Sequence, residues 1–253
     1  MIDALYISAT GLRSQQEQID VISNNVANMQ TPGFKRSRVS FAEIATLAVA
    51  DRESATIGHG GGSRVLGTMA LFSEGDLRPT GHPFDLAIDG QGFFELEDAL
   101  GNRLYTRAGQ FRLDKDGYLV ASNGMRLAQG LQVPPDALDV LIGSDGELSA
   151  RLGGDTERTI IGRIELVGFA APDALVAAGE NVFAATEEAG LPSIGQPGEP
   201  GFGALRQGYL EMANVDLVDE MTNLVMAQRA YQLNARVLQA SDQLLETINN
   251  LRR

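Results

Sequence analysis

Apolar residues recur at every seventh position in two stretches of the chain, one towards each end. The first series is Leu5, Leu12, Ile19 and Val26, and the second is Leu217, Leu224, Tyr231, Leu238 and Leu245. On a helix, a period of seven draws a narrow seam that is ordinarily buried against another helix. The pattern predicts a helix from about Asp3 to Asn28, with Ala9 and Ile22 near the seam and Arg13, Gln15, Glu17, Gln18 and Asp20 opposite. Asn24, Asn25 and Asn28 suit cap and left-handed conformations, and Thr31-Pro32-Gly33 stops the helix. A second helix begins at Asn214 or Asp216, either of which can act as N-cap. It runs to about Leu251, a rod of roughly 55 Å at 1.5 Å per residue.

Between the helices the period changes to two. Phe94 and Leu96 alternate with Glu95 and Glu97, Phe111 and Leu113 flank Arg112, and Ile164 and Leu166 alternate with Arg163 and Glu165. Such alternation predicts strands with one buried face. Asp89-Gly90, Asp116-Gly117 and Asp145-Gly146 supply turns between them. The expected fold class is α+β: long N- and C-terminal helices forming a coiled-coil layer, a central antiparallel β domain and an extended connector. The expected division is 1–33 for the first helix, 34–83 for the connector, 84–203 for the β domain and 204–253 for the last helix. Gly58 to Ser63 reads as flexible within the connector, and residues 190–203, dense in Gly and Pro, read as a linker leaving the β domain.

Charge and composition narrow the function. The chain has 33 acidic and 20 basic residues, a net charge of −13, which argues against a nucleic-acid binder. Lys35, Arg36 and Arg38 form a local basic patch that reads as the solvated start of a strand or loop. Cysteine is absent, which removes disulfides, thiol nucleophiles and thiolate zinc sites. The start lacks the basic and apolar regions of a signal peptide, and no run reaches the ~18–20 apolar residues of a membrane span, so neither a cleaved signal nor membrane insertion is expected.

An enzyme is not expected either. The two histidines, His59 and His82, sit beside Gly or Pro, and G-x-S-x-G does not occur. Gly58 to Ser63 lacks the lysine of a phosphate-binding loop. Asp114-Lys115-Asp116-Gly117 opens like a calcium loop but is not completed, and reads as a hairpin turn. The adjacent Glu187 and Glu188 have no context that would perturb them. No residue is assigned to catalysis, a cofactor or a metal, and no cofactor is expected.

The helices carry more apolar surface than one mutual seam uses. Ile2, Ile7 and Val21 lie outside the first seam, and Met221, Val225, Ala235 and Ile248 broaden the second. That excess predicts burial against other copies. The candidate assembly residues are Leu5, Leu12, Ile19, Val26, Leu217, Leu224, Tyr231, Leu238 and Leu245, with Asn25, Asn28, Gly33 and Phe34 at the end of the first helix.

Three motifs carry a resemblance. The run from Ser23 to Lys35, SNNVANMQTPGFK, resembles the N-terminal signature of the bacterial flagellar axial proteins of rod and hook. Gln207 to Asp216 and Gln228 to Gln232 resemble that family's closing helix, and Asp85 to Phe94 with Tyr105 to Phe111 are similar to its β domain. Within the family the resemblance is strongest to the distal-rod members, with proximal-rod members as the runner-up; residues 42–70, rich in Ala and Gly, depart from the distal pattern. The resemblance implies a structural subunit that polymerises into a helical, torque-transmitting tube, with terminal helices inside and the β domain outside. It implies neighbouring rod and hook proteins as partners, the ring proteins around the rod as candidate contacts, and no nucleic acid. It also implies flagellar export without a cleaved signal and a place in the basal body, across the periplasm. The alternative is a β-domain binding module on a dimerising helical stalk.

Overall fold

The computed structural model describes residues 2–45, 60–153 and 157–251. The chain divides into two compact units. A helical unit comprises Met1–Ala27, Ser37–Met69 and Asp216–Arg253; a β unit comprises Asn28–Arg36 and Ala70–Val215. Among the described residues no helix is long and apolar enough to cross a membrane.

In the helical unit, helix α1 (Ile2–Ala27) packs on helix α2 (Leu217–Leu251). Asp216, rather than Asn214, caps α2: its Oδ1 accepts from the Val218 and Asp219 backbone N–H groups at 2.8 and 3.2 Å. Strand β1 (Ser37–Ala45) pairs with strand β2 (Gly60–Ala70) and packs on α1. Much of the stretch expected as an extended connector is therefore paired. Gly60 to Ser63, expected to be flexible, opens β2, and Ser63 donates to Ser14 Oγ on α1 at 3.1 Å. Gly58 and His59 lie outside the described residues.

The β unit is antiparallel throughout its registers. A seven-stranded sheet runs in the order 176–179, 182–184, 103–106, 94–97, 126–127, 119–121, 111–113. A three-stranded sheet is built from 137–142, 147–152 and 158–163. Neighbours in sequence point to opposite faces of a strand, and here both faces are covered. Phe94, Leu166 and Val182 enter one apolar core with Leu86, Leu96 and Leu148; Phe93, Val167 and Phe183 enter a second with Tyr105 and Leu175. Edge-to-face ring contacts tie Phe72 and Phe169 to the second core.

Two-sided burial corrects several readings. Glu95 is not on a wet face: it is buried, and Arg103 reaches its Oε1 at 3.1 Å. Ile164 and Leu166 do not share a strand, because one strand ends at Arg163 and the next starts at Leu166. Residues 190–203 are not a free linker, since Ser193–Gly195 pairs with Leu166–Gly168 and Phe202 packs on the first core. Ala204–Gln207 and Tyr209–Glu211 are strands paired with Leu86–Asp89 and Leu77–Pro79, so the β unit extends to Val215.

The turns behave as their dipeptides imply. Gly90, Gly117 and Gly146 all have positive φ. Asp114 closes its turn by accepting from the Asp116 and Tyr118 N–H groups at 2.9 and 2.8 Å, and Arg126 holds its other oxygen. The carboxylate is thus engaged in a hairpin turn. No metal-binding group of acidic or histidine side chains occurs among the described residues.

At Gly109 two backbones cross so closely that an added Cβ would lie 1.6 Å from the Leu86 carbonyl oxygen. Gly109→Ala should lower stability by about 3 kcal/mol or more, or abolish folding. A urea melt followed by circular dichroism checks this, and an unchanged midpoint would contradict the packing described.

Candidate assembly surface

The two helices run antiparallel. Asn25 of α1 lies beside Glu220 of α2, and Gly11 faces Asn234, two heptads back along α1 and two heptads forward along α2. Successive helical residues are about 100° apart, which puts Glu220, Ala227 and Asn234 within about 40° of one another. Glu220 and Ala227 are 1% and 2% exposed. The facing line of α1 holds Ser8, Gly11, Gln18, Ile22 and Asn25, of which Ser8, Ile22 and Asn25 are buried. Ile22 apart, the centre of the seam is thus small or polar.

Asn25 does the work of a backbone peptide at this seam. Its Oδ1 accepts from the Ser37 N–H at 2.9 Å, and its Nδ2 donates to the Ser37 carbonyl at 2.9 Å and to Glu220 Oε2 at 3.4 Å. It lies inside α1 and is not a cap. Glycine aside, positive φ occurs at Glu180 and Asn181 and at none of the three asparagines. Gly11 admits Asn234 closely: an added Cβ would stand 2.9 Å from Asn234 Nδ2.

The heptad residues flank this line. Leu5, Leu12, Ile19 and Val26 are half-buried along one side of it. On α2, Leu224 and Leu238 are half-buried, whereas Leu217 and Tyr231 are exposed. Leu217, Leu224 and Tyr231 each stand three residues before a seam position, about 60° round from it on a helix. The side chain of Leu245 lies outside the described residues. In the β unit, Asn28 accepts from Thr31 through both its backbone and side-chain oxygens, Gly33 has a φ of 71°, and Phe34 is buried.

The apolar surface of α2 lies elsewhere. Met226, Leu233, Val237 and Leu244 fall within about 40° of one another, roughly 100° round from the seam. All four are exposed, Met226 at 65% and Leu233 at 61%. Near the start of the helix Val218, Met221 and Val225 form a second exposed stripe on nearly the opposite side from the seam. Ile7 and Tyr6 on α1 and Leu66 on β2 add to the exposed apolar area of the unit. Of these, the sequence reading had singled out Ile7, Met221 and Val225. It passed over Met226, Leu233, Val237 and Leu244, although their successive spacing of seven, four and seven is legible as a stripe.

Three family models match the segments that build this arrangement. Residues 5–35, which contain most of α1 and Asn25, match the flagella basal body rod protein model. Residues 87–150 match the D1 domain of the flagellar hook protein FlgE/F/G, and residues 206–251 match the C-terminal model of the flagellar basal body rod FlgEFG proteins. Over its full length the chain resembles curated relatives. The flagellar basal-body rod protein FlgG of Buchnera aphidicola subsp. Schizaphis graminum is 38% identical over 99% of this chain and all of its own length. FlgG of Agrobacterium fabrum is 37% identical over 97% and 98% of the two chains. FlgG of Bacillus subtilis is 38% identical over the whole of both.

The chain belongs to the FlgG family of flagellar basal-body rod proteins. Its three matched segments coincide with α1, the central strands and α2, so the polar seam and the two exposed stripes all fall in family-defining parts of the chain.

Asn25→Ala removes three hydrogen bonds at a buried site. It should destabilise the helical unit by about 1–3 kcal/mol, seen as faster amide exchange in α1 and in the first residues of β1. Unchanged exchange there would show that Asn25 does not hold β1 to the helices.

Proposed function

We propose that this chain is a structural subunit of the flagellar distal rod, laid down copy beside copy through the exposed stripes of α2. The observation that carries this reading is the division of labour on α2. Its partner within the chain takes a line of small and polar residues, while Met226, Leu233, Val237 and Leu244 are left to water. Full burial of such a side chain is worth roughly 1.5–3 kcal/mol, so a stripe of four supplies enough driving force to add a subunit. The two stripes point in different directions and therefore meet two different neighbours. Contacts between unlike surfaces whose rotation does not close generate an open helical polymer.

In this reading Leu5, Leu12, Ile19, Val26, Leu217, Leu224, Tyr231, Leu238 and Leu245 form the flanks of the inner coiled-coil layer. The β unit forms the outer layer and offers its surface to the surrounding rings. Neighbouring rod and hook proteins are the partners at the two ends, and the subunit crosses the periplasm after export without a cleaved signal. A β-domain binding module on a dimerising stalk is the weaker reading, because one dimer contact would cover one stripe and leave the other wet.

Leu233→Asp tests the proposal at a position far from the seam. The purified chain should melt within about 0.5 kcal/mol of wild type, as exposed substitutions usually do, while cells carrying it fail to build the distal rod and do not swim. Normal swimming with a Leu233→Asp, Val237→Asp double variant would overturn it.

A further inference from the structure

Five stretches of the β unit, residues 33–35, 73–75, 90–92, 107–109 and 211–212, converge on one buried carboxylate. Glu211 Oε1 accepts from Lys35 Nζ at 2.5 Å and from the Gly75 N–H at 3.0 Å, and Oε2 lies 3.3 Å from Arg107 Nε. All three charged side chains are at most 3% exposed. The remaining donors go to backbone: Lys35 Nζ to the Ser73 carbonyl at 2.7 Å, and Arg107 to the Gly92 and Gly90 carbonyls at 2.8 and 2.7 Å. The Glu211 carbonyl itself accepts from the Gly33 N–H at 2.8 Å. The basic residue read as a solvated strand start is therefore enclosed.

The backbones meet without intervening side chains. A Cβ on Gly33 would lie 2.4 Å from the Ala108 backbone, and one on Gly75 would lie 2.0 Å from the Met212 carbonyl oxygen. Asn214 completes the junction: its Oδ1 accepts from the Arg36 N–H at 2.7 Å, and its Nδ2 donates to the Leu71 and Ser73 carbonyls at 2.8 and 3.1 Å. Residues 28–36 follow α1 directly, and residues 207–215 lead directly into α2.

We infer that Glu211 is the hub of an ionic clasp that holds the chain leaving α1 and the chain entering α2 in the β unit, whether or not the helices are paired. The bonds described for Lys35, Arg107 and the Glu211 carboxylate all go to residues outside the two helices. Both helices then start from anchored points, so their pairing is a short closure between held ends and not a search by two free tails.

The charge count sharpens the inference. Two buried cations share one buried carboxylate. Burial draws Lys35 and Arg107 below their ordinary pKa values, and Glu211 pulls each back up. Removing Lys35 leaves a neutral Arg107–Glu211 pair, whereas removing the charge of Glu211 leaves two buried cations with only the weaker attraction of Glu74 to offset them. Loss of the hub should therefore be far more damaging than loss of Lys35.

Hydrogen exchange on the full chain tests this, read by mass spectrometry in wild type, Ala227→Asp, Glu211→Gln and Lys35→Met. Ala227→Asp drives a charge into the helix seam. It should raise exchange across α1 and α2 at least a hundredfold while residues 28–36 and 207–215 keep wild-type protection. Glu211→Gln should cost those two segments at least tenfold more protection than strand 94–97 loses, and Lys35→Met should cost them clearly less. The clasp is overturned if 28–36 opens together with the helices in Ala227→Asp, if Glu211→Gln leaves it closed, or if Lys35→Met matches Glu211→Gln. Should Glu211→Gln unfold the whole β unit, the Ala227→Asp comparison decides alone. The readout is made on monomers and does not depend on polymer formation.

Discussion

A helix buries whatever fits most closely against its neighbour, and in the helical unit that place is taken by small and polar groups. Gly11 faces Asn234 and Asn25 faces Glu220, so the backbones can approach and hydrogen bonds can form across the gap. Most of what makes the chain useful follows from this choice. Small and polar contacts release little energy per unit area, so the pair is held in register by specific bonds and not by bulk apolar burial. Met226, Leu233, Val237 and Leu244 of α2 are turned outward and exposed.

Buried polar groups carry specificity in both units, by different means. In the helical unit the Asn25 amide reads the backbone of Ser37 as a neighbouring strand would, and a one-residue slip would leave both Ser37 groups and the Glu220 carboxylate without those partners. In the β unit Glu211 joins Lys35, Arg107 and the Gly75 N–H. A buried ion pair adds little net stability over an apolar replacement, yet losing one partner is costly. Such contacts suit a subunit that must arrive at a single arrangement of its chain ends, because the alternatives are penalised more than the correct state is rewarded.

The β unit supplies the anchorage for those ends. Its central sheet is covered on both faces, with Phe93 and Phe94, Leu166 and Val167, and Val182 and Phe183 dividing between two cores. Covering both faces requires more chain than a half-exposed sheet, and the Gly- and Pro-rich stretch near residue 195 and the strands up to Glu211 provide it. This is also why the junction at Glu211 is so enclosed: it forms where segments from both ends of the chain are drawn onto an already buried sheet.

Local chemistry alone was enough to read the two helices, the aspartate cap of α2 and the tight turns. A period of seven, an aspartate at the head of α2 and Asp-Gly dipeptides act through neighbours a few residues away, so their consequences are written in the order of the residues. Which face of α2 meets α1 depends on contacts between residues some two hundred positions apart, such as Asn25 with Glu220, and periodicity pointed to the leucines that merely flank that line. The same holds for Lys35, whose neighbours in sequence are Phe34 and Arg36 and whose partners in space are Glu211 and Ser73. Burial of a charge is settled by what the rest of the chain brings to it, and nothing within a helical turn or a strand pair of Lys35 could have announced an enclosed carboxylate.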